Sequence, residues 1–242
     1  MATSFSNFSY QRFMRNMGQK LEPSVRYHLS KVYACLTATC AAATFGSMVH
    51  LSGIWEAGMI SALITFGLVL GLIFTPDNGK NFGMRLAMLL GFGAFSGHSL
   101  GILLEQVIRI NPAIVVTALV GTTTIFTCLS AAALLAKRGS YLFLGGILMS
   151  TLSAMALISL GNLMFRSYFV QEINLYVGFA VMSGFVLFDT QMIMEKHRMG
   201  SNDCIAHSLD LFYDVISIFR RLLIILTQKE QNNERKKKNN SN

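Results

Sequence analysis

Three carboxylates stand where a carboxylate is costly. Asp189 lies within GFVLFDTQMI (184–193), a run with no other charge, and Asp210 and Asp214 lie within LDLFYDVISIFRRLLIIL (209–226). An ionised acid at the centre of a bilayer costs roughly 2.5–3.5 kcal/mol on insertion scales. Asp189 falls about five residues inside a span, on the order of 8 Å at 1.5 Å per residue, so it is not interfacial. Asp210 and Asp214 are four apart and share one helical face, where two ionised like charges repel. Relief must come from protonation, a basic partner, a bound cation or a water-filled cavity. Two carboxyls that share a proton titrate as a coupled pair, which makes them proton-sensitive. They also offer the hard oxygen ligands that calcium prefers. The structural alternative is a plain ion pair, with Arg220 or Arg221 one or two turns from Asp214.

The elements that carry these acids follow from composition. Of 242 residues, 52% are hydrophobic and 13% charged, far to the apolar side of a soluble domain at about 25% charged. A helical span needs roughly 20 apolar residues. Stretches of that kind fall at about 30–51, 54–74, 84–104, 113–136, 141–164 and 173–194, with a more charged seventh at about 209–227. The expectation is an all-α, multi-pass integral membrane bundle without a separate soluble domain. It comprises an arm at 1–27, a membrane domain at 28–228 and a basic, disordered tail at 229–242.

The first 30 residues are mixed and polar, so the first span is expected to act as its own targeting signal. The net charge of +8 does not point to nucleic acid, because the basic residues gather at loop ends and in the tail, as in membrane proteins. Starting inside, the arm (Arg12, Arg15, Lys20, Arg26) and Lys80, Arg85, Lys137, Arg138, Lys196 and Arg198 all fall on the cytoplasmic side, against Arg109 and Arg166 opposite. A seventh crossing conflicts with this count by carrying Lys229 and Arg235 to Lys238 across; seven helices are expected, with a re-entrant last segment as the alternative. Glycosylation at Asn239-Asn240-Ser241 would establish the crossing.

In GFGAFSGHSLG, Gly93, Gly97 and Gly101 recur every four residues, the spacing that lets helix backbones approach closely; Gly67 and Gly71 are a second instance. His98 among them reads as a proton acceptor or as a helix-to-helix hydrogen-bond partner. Asn162 and Asn174 are explained by hydration near span ends. Cys35, Cys40, Cys128 and Cys204 lack disulfide or metal spacing and are read as packing residues. No cofactor is implied. An enzyme is not expected: Tyr213-Asp214 imitates half of an intramembrane aspartyl protease, but the glycine-x-glycine-aspartate half is missing, as is the glycine after Asp189-Thr190.

KVYACLTATCAAA (31–43), NPAIVVTALVGTTTIFTC (111–128), SYLFLGGILMS (140–150), NLYVGFAVMSGFVLFDTQMIMEK (174–196) and DLFYDVISIFRRL (210–222) resemble, in order and spacing, the endoplasmic reticulum branch of the transmembrane Bax inhibitor motif family. The resemblance implies a bundle whose seventh helix is central and wrapped by the other six. It implies a multi-pass protein of the endoplasmic reticulum membrane that suppresses cell death and supports a pH-sensitive calcium leak. Asp189 and Asp214 match the family's two-aspartate pH sensor, Asp214 the acid of calcium permeation, and Asp210 a further acid; calcium would be held transiently by Asp189 and Asp214. An arginine latch near the end of the second helix has Arg85 and Lys80 as candidate counterparts. Beyond the lipid bilayer and calcium, the implied partners are membrane proteins of the Bcl-2 class. The alternative function is a scaffold acting on cell death through partners, without ion transport of its own.

Overall fold

The structure is a computed structural model describing residues 22–240; Arg12, Arg15, Lys20 and Ser241 lie outside them. Those residues form seven helices and no strand: α1 (Pro23–Leu51), α2 (Met59–Phe74), α3 (Phe82–Ile110), α4 (Ala113–Leu135), α5 (Leu144–Phe165), α6 (Tyr168–Arg198) and α7 (Cys204–Asn240). Local chemistry fixes the boundaries. Pro23 starts α1, where its missing N–H costs nothing. Asn111 Oδ1 accepts the Ala113 N–H at 3.0 Å to open α4. Asp203 Oδ1 accepts the Ala206 N–H at 3.0 Å to open α7.

Five helices (α1, α3, α4, α5 and α6) are long and apolar enough to cross a membrane. Side chains such as Phe66, Ile73, Val116, Leu157 and Leu163 are more than 60% exposed, an apolar exterior that only lipid satisfies. The protein is a multi-pass membrane protein. α2 begins at Met59, not near 54, because Ser52 to Gly58 fold into the connection; its 16 residues span about 24 Å.

α7 is the central helix, as expected. It packs against α1, α3, α4 and α6, while α2 sits on α3 and α5 on α6 in an outer position; the jacket is thus four helices, not six. α7 is one continuous helix of 37 residues, about 55 Å long. At its far end Asn111 Nδ2 donates to Glu230 Oε1 at 3.2 Å, which places Glu230 beside the α3–α4 turn, opposite the α6–α7 connection. α7 thus runs the length of the bundle without the break that the re-entrant alternative requires. The expected disordered tail is corrected as well: the described part, through Asn240, is helical. Its Gln, Glu, Lys and Arg residues are good helix formers, and extending an existing helix avoids nucleation.

The glycine spacing of α3 does what it predicts. A Cβ at Gly97 would land on the Ala43 carbonyl of α1, one at Gly93 within 2.7 Å of the Thr39 carbonyl oxygen, and one at Gly101 against the His50 ring. Gly46 of α1 meets the Ala94 carbonyl in the same way. The α2 pair does not: Gly67 has nothing within 4 Å and Gly71 only the Met88 side chain at 3.5 Å.

Candidate functional site

Asp189 on α6 and Asp214 on α7 face each other within hydrogen-bonding reach. Asp214 is 2% exposed, and its Oδ2 has no hydrogen-bond partner. A bond between two carboxyls requires a proton, so the pair is comfortable with one shared. Both line a cavity of about 530 Å³, walled by apolar side chains including Phe92, Met182 and Phe185, with Asp210 and Lys196 also in its lining. Lys196 Nζ lies 3.9 Å from Asp210 Oδ2, and both side chains are more than 40% exposed. Asp210 is therefore far more exposed than Asp214.

The arrangement follows from the helices. Asp210 and Asp214 share a face through their four-residue spacing, and α6 presents Asp189 to it. Gln191, 1% exposed, turns the other way and fixes α6: its Oε1 accepts the Tyr141 N–H at 2.7 Å, and its Nε2 donates to the carbonyls of Ala133 and Lys137 at 3.3 and 3.1 Å.

The structural alternative for Asp214 fails. Arg221 Nη1 donates to the Asn174 carbonyl at 3.1 Å, and Arg220 points outward. Among the described residues no group of three or more His, Cys, Asp or Glu is placed to hold a metal ion. Two carboxylates supply at most four of the six to eight oxygens calcium takes, a set suited to passing a hydrated cation, not to storing one.

Of the two latch candidates, Lys80 is exposed in the α2–α3 connection. Arg85 is 3% exposed, away from the acid pair: its Nη2 binds Asp203 Oδ2 at 2.7 Å and its Nη1 lies 3.4 Å from Asp77. Asp203, at the start of α7, is a residue the sequence reading missed. Nearby, His28 Nε2 and His207 Nδ1 are 2.9 Å apart, and the His197 ring stacks on His28 at 4.3 Å; these three are 10 to 179 residues apart in the chain, so no local pattern marks them.

At the opposite end His98 is a fastener. Its Nδ1 bonds Ser61 Oγ at 2.9 Å and its Nε2 the Trp55 carbonyl at 2.8 Å, which ties the α1–α2 connection and α2 to α3. Replacing His98 with Ala orphans the buried Ser61 hydroxyl and frees the part-buried Trp55 carbonyl, and is expected to lower stability by about 1–3 kcal/mol, read as a downward shift in thermal unfolding of the detergent-solubilised protein. The asparagines are also structural ties rather than merely hydrated. Asn162 Oδ1 accepts the Ser167 N–H at 2.8 Å, and Asn174 Nδ2 donates to Ser159 Oγ at 2.5 Å. All four cysteines are free.

Fold and site together define a polytopic helical membrane protein with an acid pair held on its central helix and that helix's neighbour. A family profile described as Inhibitor of apoptosis-promoting Bax1 matches residues 25–231. Bax inhibitor 1 of Drosophila melanogaster is 50% identical over 219 residues, covering 90% of this chain and 89% of the relative. Bax inhibitor 1 of Homo sapiens is 48% identical over 203 residues (84% and 86%), and that of Arabidopsis thaliana 35% over 206 residues (84% and 82%). The chain belongs to the Bax inhibitor 1 family of apoptosis-inhibitor membrane proteins.

Proposed function

We propose that this protein suppresses apoptosis from the endoplasmic reticulum membrane and carries a pH-sensitive calcium leak through the Asp189–Asp214 site. The observation that carries the reading is the pair itself: two facing carboxyls, one of them 2% exposed, lining a cavity of about 530 Å³ that Asp210 also lines. Such a pair binds a cation when ionised and gives it up when it takes a proton, so proton and calcium compete for the same oxygens. Family membership over nearly the whole chain supports the apoptotic role and the compartment. Arg85, gripping Asp203 where α7 begins, is the residue that would hold this end shut; the exposed Lys80 has no such grip. Bcl-2-class membrane proteins are the partners the family relationship suggests.

The experiment is calcium efflux from liposomes containing the pure protein. Asp214→Asn is expected to reduce flux about tenfold or more, on the scale of losing a charge that focuses cations. Asp189→Asn is expected to flatten the response across a pH series. Equal flux from parent and both variants at every pH would remove the leak and leave the scaffold function.

A further inference from the structure

Arg221 is a cation set between α7 and α6. It stands seven residues beyond Asp214 on α7, two turns along the same face and about 10 Å deeper. Half-buried, it makes no ion pair within 4.0 Å among the described residues. Its guanidinium occupies the space left by the absent side chain of Gly178 on α6, where a Cβ would collide with it, and it is pinned there by the Asn174 carbonyl. Between it and the acid pair lies an apolar cluster in which Ile218 of α7 packs with Met182 and Phe185 of α6. Asn174 also lines a pocket of about 450 Å³ at the far end between α5 and α6, whose lining includes Arg166 and no carboxylate.

An arginine half-buried without a counter-ion is costly to keep, and a plain helix-to-helix tie needs no charge. We propose that Arg221 is a specificity-determining residue, a fixed positive charge two turns beyond the acid pair on α7 that limits divalent-cation passage through the Asp189–Asp214 site. This rests on the leak reading above. The field of a fixed charge in a low-dielectric surround acts twice as strongly on a divalent as on a monovalent cation, so the barrier throttles calcium more than sodium or potassium. Gly178 is the positioning residue that lets the guanidinium lie against α6.

The test is paired calcium and potassium flux in liposomes for the parent, Asp214→Asn, Arg221→Gln, Arg221→Lys and Gly178→Ala. Arg221→Gln is expected to raise the Asp214-dependent calcium flux about tenfold, the scale of focused-field effects, with a smaller rise for potassium. Arg221→Lys keeps the charge and should stay near the parent. Gly178→Ala displaces the guanidinium and should move flux the same way as Arg221→Gln; it decides the matter if Arg221→Gln yields no folded protein. Asp214-dependent flux that is unchanged in Arg221→Gln, or raised equally by Arg221→Lys, overturns the barrier and leaves a packing role. Absence of any Asp214-dependent flux in the parent instead sinks the leak reading on which the barrier depends.

Discussion

Asp203→Ala is expected to cost about 3–5 kcal/mol, the range for leaving one member of a buried ion pair uncompensated. The charge left behind is Arg85, whose side chain is 4% exposed and whose remaining partner, Asp77, is more distant at 3.4 Å. The same change removes the Asp203 bond to the Ala206 N–H that opens α7, so the loss falls at the root of the central helix. Replacing both partners with apolar side chains, Arg85→Met with Asp203→Leu, should recover much of the loss, because a buried pair exchanged whole is often neutral. Urea titration in detergent, monitored by helical signal, reads both outcomes. A double variant no better than the single one would show that the helix start, not the ion pair, carries the effect.

The pair also sets an acid limit. Burial pushes the Asp203 carboxyl up, but the Arg85 hydrogen bond, the Ala206 N–H and the guanidinium charge together outweigh it and hold Asp203 below its ordinary value of 3.8. A depressed folded-state value means the stabilisation is fully present above the ordinary value and is lost as pH falls through the folded one. This contribution is therefore constant across neutral and mildly acidic pH. Any pH response of the protein above about pH 5 must arise elsewhere.

The second large effect is expected at Gly97. Overpacking typically costs 1–3 kcal/mol where side chains can adjust, but the atom in the way here is the Ala43 backbone carbonyl, which cannot rotate aside. Gly97→Ala should cost about 3 kcal/mol or more, and Gly97→Leu should abolish recovery of folded protein from membranes. The matched control is Gly67→Ala. That position has open space and a helical backbone, so the change should be neutral or stabilising by roughly 0.5–1 kcal/mol. Equal yields of Gly97→Leu and Gly67→Ala after size-exclusion chromatography would refute close contact between α1 and α3.

The contrast between these two glycines shows how far sequence reasoning reaches. A four-residue rhythm identifies a face but not whether another helix's backbone meets it, and Gly93-Gly97-Gly101 and Gly67-Gly71 look alike until α1 is seen on the first set, open space at Gly67 and only the Met88 side chain at Gly71. The acids were legible for a sturdier reason: an aspartate in an apolar run must be relieved somehow, and the seven-helix order puts α6 beside α7. Arg85 and Asp203 are 118 residues apart, and either reads alone as an ordinary loop-end charge. The ion-pair alternative for Arg221 came from its closeness to Asp214 along one helix, whereas its side chain turns to α6. Composition also misled at the tail, where a charged segment reads as disordered although it merely prolongs a helix already formed.

The bare-backbone contact between α1 and α3 bears on how such a molecule can move. Rods that touch carbonyl to glycine along several turns have no lubricating layer of side chains and are locked against sliding. They act as a chassis. Shape change is left to contacts made through side chains: the α5–α6 flank, where Leu148, Leu152 and Met155 meet Met182, Phe185 and Phe188, and the start of α7, which Arg85 of α3 grips through Asp203.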